Sequence, residues 1–219
     1  MKHNFWGTAL IAVGLLLLLG AAGLVAYNLQ EDQNAKTSAD SVLQELTAEL
    51  PTQGTLPTQS DAEEETTPPV PPELQIPNYL LNPNMDLPVR VIEEREYVGI
   101  LTIPDLALEL PVLKEWSEKG AKVAPCRDGG TPYLDDLVIC AHNYKAHFGR
   151  LNTLKTGALV TFTDMDGNVF TYEVCAFEEL QPNQVIPLRQ SEWDLTLYTC
   201  TIGGRTRFVV RCEKLMADR

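Results

Sequence analysis

The most prominent feature of the hydrophobic pattern is an apolar run near the N-terminus. It extends over 23 residues from Phe5 to Tyr27, and no charged side chain occurs between Lys2 and Glu31. A helix of this length crosses a hydrocarbon core of about 30 Å. The alternative is a cleaved signal peptide, but such peptides have shorter apolar cores and a small-residue cleavage site, which is not evident here. We predict an uncleaved transmembrane anchor over residues 1–30, with the rest of the chain outside the cytoplasm because the basic end stays inside.

The pattern turns polar after the anchor. Residues 31–78 contain ten acidic residues, one basic residue and seven of the 15 prolines. Such a composition buries too little apolar surface to fold by itself, so we predict a disordered linker without a sequence-specific role. One stretch, residues 38–50, is compatible with a short helix whose apolar face is formed by Val42, Leu43, Leu46 and Leu50.

Residues 79–219 show the short runs of β-branched and aromatic residues that are typical of strands. The predicted strands are Tyr97–Ile103, Leu110–Leu113, Leu137–Ala141, Leu159–Thr163, Val169–Phe177, Leu195–Cys200 and Arg207–Cys212. Residues 164–168 (DMDGN) predict a hairpin turn, and residues 117–123 and 148–154 predict short helices or turns. Strands this short and this numerous favour a barrel, with a β-sandwich as the alternative.

Charge and cysteine content exclude several classes of protein. The net charge of −13 disfavours nucleic acid as a partner, because phosphate binding needs clustered Lys and Arg. Five cysteines are too few for a disulfide scaffold, and no disulfide pairs are assigned among Cys126, Cys140, Cys175 and Cys212. The Cys and His spacings match no standard zinc pattern, and the DMDGN turn lacks most calcium ligands. We expect neither a metal nor a cofactor.

The last two predicted strands bring together a thiol and a guanidinium. A two-residue turn at Gly203-Gly204 would pair Cys200 with Arg207 on the same face of the hairpin. A fixed positive charge favours the thiolate and stabilises a developing oxyanion. The alternative reading of this pair is a buried strand cysteine beside a solubilising arginine.

A candidate general acid and base follows the strand Leu137–Ala141. His142 stands at the end of this strand, where an imidazole can face a cleft, and its usual pKa of about 6.5 suits proton transfer. Cys200, His142 and Arg207 together provide a nucleophile, a proton-transfer group and an electrophilic stabiliser for acyl transfer. We expect His147 to be an ordinary surface or helix-start residue.

Three segments in this order resemble the sortase family. They are Ala141-His142-Asn143, then Thr196-Leu197-Tyr198-Thr199-Cys200, then Arg207 before Phe208-Val209-Val210, and Tyr97–Pro104 resembles the family's opening strand. The similarity covers about residues 95–215. It implies a mostly β domain with an eight-stranded barrel and short helices over residues 79–219, held by the anchor and the disordered linker.

The resemblance also implies a cysteine transpeptidase without a cofactor. Cys200 would attack the Thr carbonyl of a Leu-Pro-x-Thr-Gly-type (LPXTG) sorting signal at the C-terminus of a secreted protein and form a thioester. His142 would protonate the leaving Gly amine and deprotonate the incoming amine of a peptidoglycan precursor or a pilin subunit. Arg207 would hold the oxyanion or the substrate backbone. The enzyme would work at the outer surface of the membrane of a Gram-positive-type cell, with its N-terminus in the cytoplasm.

The departures from the family's patterns leave its subclass open. The chain has no clear Asp-Pro-aromatic lid motif, although Asp86-Leu87-Pro88 lies before the barrel. Residues 178–194 are where we expect the substrate-recognition loop. Two other functions use the same residues differently, namely a hydrolytic cysteine peptidase and a membrane-tethered β-domain that binds wall polymer or protein without catalysis. Selective alkylation of Cys200 separates catalysis from binding, and added amines separate transfer from hydrolysis.

Overall fold

The computed structural model describes residues 5–49, 76–184, 188–189 and 192–215. The α-helices with described bounds are α1 (Phe5–Glu49), α2 (Asn78–Leu81) and α3 (Glu118–Ala121). The strands are β1 (Arg90–Ile92), β2 (Arg95–Ile103), β3 (Leu108–Leu113), β4 (Cys126–Gly129), β5 (Leu137–Ala141), β6 (Leu159–Asp164), β7 (Val169–Leu180), β8 (Leu195–Cys200) and β9 (Arg207–Lys214). Single 3₁₀ turns follow β2 at Pro104–Leu106 and precede β6 at Leu151–Thr153.

Eight strands close into a barrel. The order around it is β2-β3-β4-β5-β8-β9-β7-β6, and β6 pairs with β2 to complete the ring. The strand β1 is an additional three-residue strand paired with the start of β2. Most neighbours are antiparallel, but β5 and β8 run parallel, as do β3 and β4. The predicted eight-stranded barrel is therefore confirmed, and closure removes the exposed edges that a sandwich would leave.

The barrel interior is filled by side chains that alternate along each strand. Leu195 and Leu197 of β8 and Val210 and Cys212 of β9 point into this core, and Phe162 of β6 joins them. Because side chains alternate across a strand, the intervening residues of β8 and β9 lie on the outer face of the barrel. Cys200 and Arg207 belong to this outer set.

Two strands, β1 and β4, were not predicted from the sequence. The strand β1 has only three residues, and β4 is polar. The strand β4 has the sequence CRDG and pairs antiparallel with β5, so its backbone partner, rather than its side chains, determines its structure. The DMDGN hairpin turn and the two short helical segments are confirmed. In the turn, the buried Asp164 carboxylate accepts hydrogen bonds from Asp166, Asn168 and the Tyr133 hydroxyl, so the turn itself uses its oxygens.

The segment before the barrel covers the end opposite to His142 and Cys200. Tyr79 stacks on Tyr133 with a centroid distance of 4.9 Å, and Leu87 is buried in the barrel core. Tyr133 precedes β5, whereas His142 follows it. The segment that contains Asp86-Leu87-Pro88 therefore packs at the end of the barrel where β5 begins, which is opposite to the end that carries Cys200.

The helix α1 is one continuous helix from Phe5 to Glu49. It is long and apolar enough to cross a membrane, and the large apolar side chains of its first half are exposed. Its second half differs from the linker expected from residue 31 onward. Ala35, Ala39, Val42 and Leu46 are buried against the barrel, because their spacing of four, three and four residues forms one helical stripe. Residues 50–75 of the expected linker lie outside the described residues, and its last residue, Asn78, begins α2.

Candidate active site

Parallel pairing of β5 with β8 brings the ends of these strands together. Ala141 pairs with Thr199, and this is the last pair of the ladder. The next residues along the two strands, His142 and Cys200, therefore follow side by side at the same end of the barrel. Neighbouring strands are about 4.8 Å apart, and residues in parallel register project to the same face, so the two side chains leave the same face of the barrel from adjacent strand ends. His142 and Cys200 are both partly exposed, so both are accessible from solvent.

Thr199 fixes this arrangement from the inside of the barrel. Its hydroxyl is buried and donates a hydrogen bond of 2.9 Å to the carbonyl oxygen of Ala141. This bond ties the two strands together immediately before His142 and Cys200. Thr199 belongs to one of the sortase-like motifs, but this role could not be predicted from the sequence, because the partner of Thr199 is 58 residues away in the chain.

The β8–β9 hairpin adds Arg207 to the row. Cys200 pairs directly with Arg207 in the antiparallel ladder, which is the register predicted from the sequence. His142, Cys200 and Arg207 thus lie next to one another on three neighbouring strands. The guanidinium of Arg207 is partly buried and donates to the carbonyl oxygens of Thr206, at 3.3 Å, and Gly204, at 3.5 Å.

The turn of this hairpin differs in detail from the predicted diglycine turn. Both glycines have positive φ, 83° at Gly203 and 69° at Gly204, as only glycine adopts readily. However, the Gly204 N–H donates to the Thr201 carbonyl, and the Thr201 N–H donates to the Thr206 carbonyl. The loop therefore contains four residues, 202–205, and the two glycines alone do not form the turn. The pairing of Cys200 is unchanged, because a four-residue loop and a two-residue loop leave the same strand register.

The electrostatic surroundings of His142 favour its neutral form. Burial lowers the pKa of His142 from the usual 6.5, and the nearby Lys122 ammonium lowers it further. Glu118 and Glu31 act in the opposite direction. Its Nε2 atom is buried without a hydrogen-bond partner among the described residues. A neutral imidazole with a free ring nitrogen is able to accept a proton.

A compact loop, residues 143–149, carries the chain away from His142. The Phe148 N–H donates to the His142 carbonyl at 3.2 Å, and the Gly149 N–H donates to the Tyr144 carbonyl at 2.8 Å. A Cβ atom at position 149 would lie 2.4 Å from the Asn143 carbonyl oxygen, so this tight loop needs glycine there. The ring of Tyr144 packs 5.1 Å from the imidazole of His142.

His147 lies under this loop, and the expectation of a surface residue is wrong. Its side chain is fully buried, and burial lowers its pKa to about 4. The centroid of its ring lies 5.6 Å from that of Tyr144. The sequence missed its burial because nothing in the local pattern shows that α1 and the residues around Val123 cover it.

A second arginine of β9, Arg211, projects from the outer face of the barrel but is covered there by other residues. Arg211 is 1% exposed and forms a salt bridge of 2.9 Å with Glu178. Its guanidinium also donates to the Thr196 hydroxyl at 2.9 Å and to the Leu188 carbonyl at 3.3 Å. Leu188 belongs to the expected substrate-recognition loop, of which residues 185–187, 190 and 191 lie outside the described residues. Arg211 therefore attaches this loop to the barrel, while Arg207 lies beside Cys200.

The remaining four cysteines differ from Cys200 in environment. All five are described, and all are free thiols. Burial raises the pKa of Cys126 to about 11 and of Cys140 to about 12, and it raises the pKa of Cys212 as well. Cys175 is half-buried in a bulge of β7, and its thiol donates to the Glu173 carbonyl. Among the cysteines, only Cys200 stands in register with an arginine and next to a histidine.

Within the described ranges, no group of three or more His, Cys, Asp or Glu side chains has the arrangement of a metal site. In the row of His142, Cys200 and Arg207, a thiol stands between an imidazole and a guanidinium, which are the groups that a cysteine nucleophile uses for proton transfer and anion stabilisation.

Comparison with known families assigns the chain to a family. A model of the Sortase domain family matches residues 101–215, which is more than half of the chain. The chain therefore belongs to the sortase family. No curated protein matches the sequence. The matched range contains β5, β8 and β9 and thus all three residues of the row.

Solved sortase structures are similar to this chain at low sequence identity. Sortase A from Corynebacterium diphtheriae is 23% identical with a TM-score of 0.52, and the match covers 57% of this chain and 63% of that chain. Streptococcus pneumoniae sortase C is 26% identical with a TM-score of 0.49, covering 58% and 72% of the two chains. Sortase C1 from Streptococcus suis is 25% identical with a TM-score of 0.49, covering 57% and 76%. This chain spans less than two thirds of the length of the Corynebacterium sortase A chain. The structural similarity to that sortase A supports the barrel fold.

Proposed function

We propose that this protein is a membrane-anchored cysteine transpeptidase that cleaves an LPXTG-type sorting signal and transfers the released acyl group to an amine. The observation that carries the proposal is the row of His142, Cys200 and Arg207 at the ends of β5, β8 and the start of β9. In the proposal, α1 anchors the chain with its N-terminus in the cytoplasm, and residues 79–219 form the catalytic domain outside. The acceptor is the amine of a cell-wall precursor or of a pilin subunit.

The first half-reaction breaks the Thr–Gly peptide bond of the signal. The Cys200 sulfur attacks the Thr carbonyl carbon, and its proton passes to the imidazole of His142. The guanidinium of Arg207 stabilises the negative oxygen that forms at that carbonyl. When the intermediate collapses, His142 gives the proton to the departing Gly amine, and the Thr acyl group remains on Cys200 as a thioester.

The second half-reaction resolves the thioester. The incoming amine attacks the thioester carbonyl, and His142 removes a proton from this amine. Arg207 again supports the negative oxygen, and collapse of the intermediate releases the Cys200 thiolate, which regains a proton from His142. A new amide bond replaces the thioester, so the peptide-bond energy of the signal is conserved and no cofactor is consumed. A histidine with a lowered pKa suits this cycle, since it must begin each step as a neutral base.

The test uses the full chain in detergent micelles with a library of Leu-Pro-x-Thr-Gly peptides, with and without added amines. Mass spectrometry detects the thioester on Cys200 and the amine-linked product. Both species are expected, and Cys200→Ala is expected to abolish both while leaving thermal unfolding unchanged. Cys175→Ala is the matched control, because this second partly exposed cysteine lies on β7 and is expected to leave turnover intact.

Other outcomes would assign a different function. A thioester that releases only the free acid, whatever amine is added, would indicate a hydrolytic cysteine peptidase. Absence of any adduct on a folded chain, for every peptide of the library, would contradict the proposal and favour a non-catalytic binding domain. Substantial turnover by the Cys200→Ala variant would exclude Cys200 as the nucleophile.

A further inference from the structure

The second half of α1 is docked on the barrel. We call residues 31–46 of this helix the arm. The arm contacts β1 and β3, and its apolar stripe contributes Ala39 to the barrel core and Val42 and Leu46 to a second cluster on the outer face. That second cluster also contains Cys140 of β5, two residues before His142. The arm therefore belongs to the same apolar cluster as the strand that precedes the candidate general base.

Two carboxylates at the start of the arm reach the loop that follows His142. The Asp32 Oδ1 atom accepts a hydrogen bond of 2.9 Å from the Ala146 N–H. The Glu31 Oε2 atom lies 3.4 Å from the Tyr144 hydroxyl, which is a longer and weaker contact. A hydrogen bond from a backbone N–H to an ionised carboxylate is about twice as strong as one between neutral groups. Asp32 thus provides the main attachment between the arm and this loop.

The attached loop is internally connected to His142. The ring of Tyr144 packs against the imidazole, and the Phe148 N–H bonds the His142 carbonyl. Ala146 lies between these two contacts, in the same short loop. A restraint on Ala146 therefore restrains both the ring contact and the backbone hydrogen bond of His142, whereas Lys145 of the same loop is exposed to solvent.

We propose that Asp32 is a positioning residue of the active site, whose bond to the Ala146 N–H holds the His142 loop in place beside Cys200. The arm is then a working part of the catalytic centre and not a spacer between membrane and domain. This inference rests on the proposed function for its catalytic consequence. It also places the His142 loop near the membrane surface, since Asp32 follows Tyr27 by five residues, about 7.5 Å of helix.

The first measurement is amide hydrogen exchange of the full chain in lipid nanodiscs, followed by mass spectrometry. The variant Asp32→Ala is expected to accelerate exchange in peptides that cover residues 142–149, while peptides from β8 keep the protection of the unaltered chain. Asp32→Asn retains an oxygen that accepts from the Ala146 N–H, so its exchange is expected to be intermediate. Asp40→Ala is the matched control, because Asp40 is exposed on the same helix and bonds nothing in the loop.

The second measurement is the pH dependence of Cys200 alkylation by iodoacetamide, which needs no peptide substrate. In the unaltered chain the rate is expected to report the ionisation of His142 next to the thiol. Asp32→Ala is expected to weaken this dependence, and Asp40→Ala to preserve it. The charged groups that face His142 are Lys122, Glu118 and Glu31, and all three remain in both variants.

The third measurement is steady-state transfer with the peptide and amine identified for the unaltered chain. Displacement of a proton-transfer group by about an ångström costs up to roughly a hundredfold in rate. We expect Asp32→Ala to lower kcat by about tenfold or more with KM changed less than about twofold, because in this inference Asp32 acts on the proton-transfer group and not on substrate binding. Asp32→Asn is expected to recover part of the lost kcat.

The outcomes separate this inference from the proposed function. If the unaltered chain shows no transfer, the proposed function fails, and the exchange and alkylation measurements still decide whether Asp32 positions His142. Unchanged loop exchange in Asp32→Ala would overturn the inference. So would faster exchange with an unaltered alkylation profile, because the loop would then move without any effect on the pair of His142 and Cys200.

Discussion

At the scale of single residues, position rather than residue type distinguishes the candidate nucleophile. Three of the five cysteines are buried, and burial raises the pKa of each of these thiols, which keeps them protonated and unreactive. Cys200 is the one cysteine in register with an arginine. Position also distinguishes two arginines of β9. The guanidinium of Arg211 is buried in a salt bridge and hydrogen bonds, whereas Arg207 is partly exposed and pairs with Cys200.

The first prediction concerns Arg207. Removal of one oxyanion-stabilising donor typically costs 10² to 10³ in rate, so Arg207→Ala is expected to lower kcat by about a hundredfold. Arg205→Ala is the control, since Arg205 is exposed in the hairpin loop. It is expected to keep kcat within about twofold, as surface changes do. Steady-state kinetics of peptide transfer check both, and a larger loss for Arg205 than for Arg207 would mean that the hairpin register does not place the stabilising cation.

The second prediction concerns the ionisation of His142. Because burial and the Lys122 charge lower its pKa, the imidazole is neutral at pH 7 and gains a proton only at a more acidic pH than a free histidine. Lys122→Gln removes a cation that repels the imidazolium and is therefore expected to raise this pKa. Lys119→Gln, on the neighbouring helix α3, is expected to leave it unchanged.

Nuclear magnetic resonance of the histidine Cε1–H groups measures this directly, because the chain contains only three histidines. His147 provides an internal reference, since burial lowers its pKa to about 4 and it stays neutral over most of the titration. A pKa of His142 that is unchanged or lower in Lys122→Gln would show that the lysine charge does not lower it.

At the scale of secondary-structure elements, the pairing of strand ends determines which residues lie together in the site. The strands β5 and β8 pair in parallel, and Thr199 locks their ends together, while the β9 hairpin brings Arg207 back along β8. The loop between β7 and β8 is attached from the side by Arg211 through Leu188. The site is therefore a row of three residues on neighbouring strands, with a separately attached loop.

The third prediction concerns this attachment. Arg211→Met is expected to lower the free energy of unfolding by about 1–3 kcal/mol, because the Thr196 hydroxyl and Leu188 carbonyl lose a buried donor. It is also expected to make the peptide bonds near Leu188 more sensitive to limited proteolysis and to raise KM more than it lowers kcat. Arg205→Met is the control with the same change of side chain at an exposed site. Unaltered proteolysis near Leu188 would show that Arg211 does not hold the loop.

At the scale of the whole molecule, one helix joins the apolar N-terminal segment, which is long enough to cross a membrane, to the barrel. The apolar side chains of its first half face outward, as a membrane requires, whereas the stripe of the arm faces the protein. The change of surroundings occurs between Tyr27 and Ala35. The arm thereby fixes both the distance and the orientation of the barrel relative to the proposed anchor.

The fourth prediction tests the packing of the arm. Leu46 is 1% exposed, and truncation of a buried leucine to alanine costs about 2–5 kcal/mol. Leu46→Ala is therefore expected to lower the thermal unfolding temperature of the full chain in micelles by several degrees. Glu45→Ala, on the exposed face of the same turn, is the control and is expected to change it little. Equal unfolding temperatures for the two variants would mean that the arm does not contribute to the stability of the barrel.

The sequence alone determined the features that depend on neighbours along the chain. The apolar run predicts a helix able to span a membrane, and the DMDGN turn forms where it was expected. The pairing of Cys200 with Arg207 follows from a hairpin whose strands are only six residues apart, so local rules suffice for it. The order of the three motifs supported the family even without a structure.

Tertiary structure decided the contacts between distant segments. His142 and Cys200 lie at neighbouring strand ends because β5 pairs in parallel with a strand 58 residues later, and no local pattern specifies a partner so far away. The polar strand β4 exists because β5 offers it hydrogen bonds. The acidic segment after residue 31 was expected to be free, since its composition is that of a linker. Its short apolar stripe becomes a docked helix because the barrel presents a matching apolar surface, and Asp32 finds an N–H group 114 residues away.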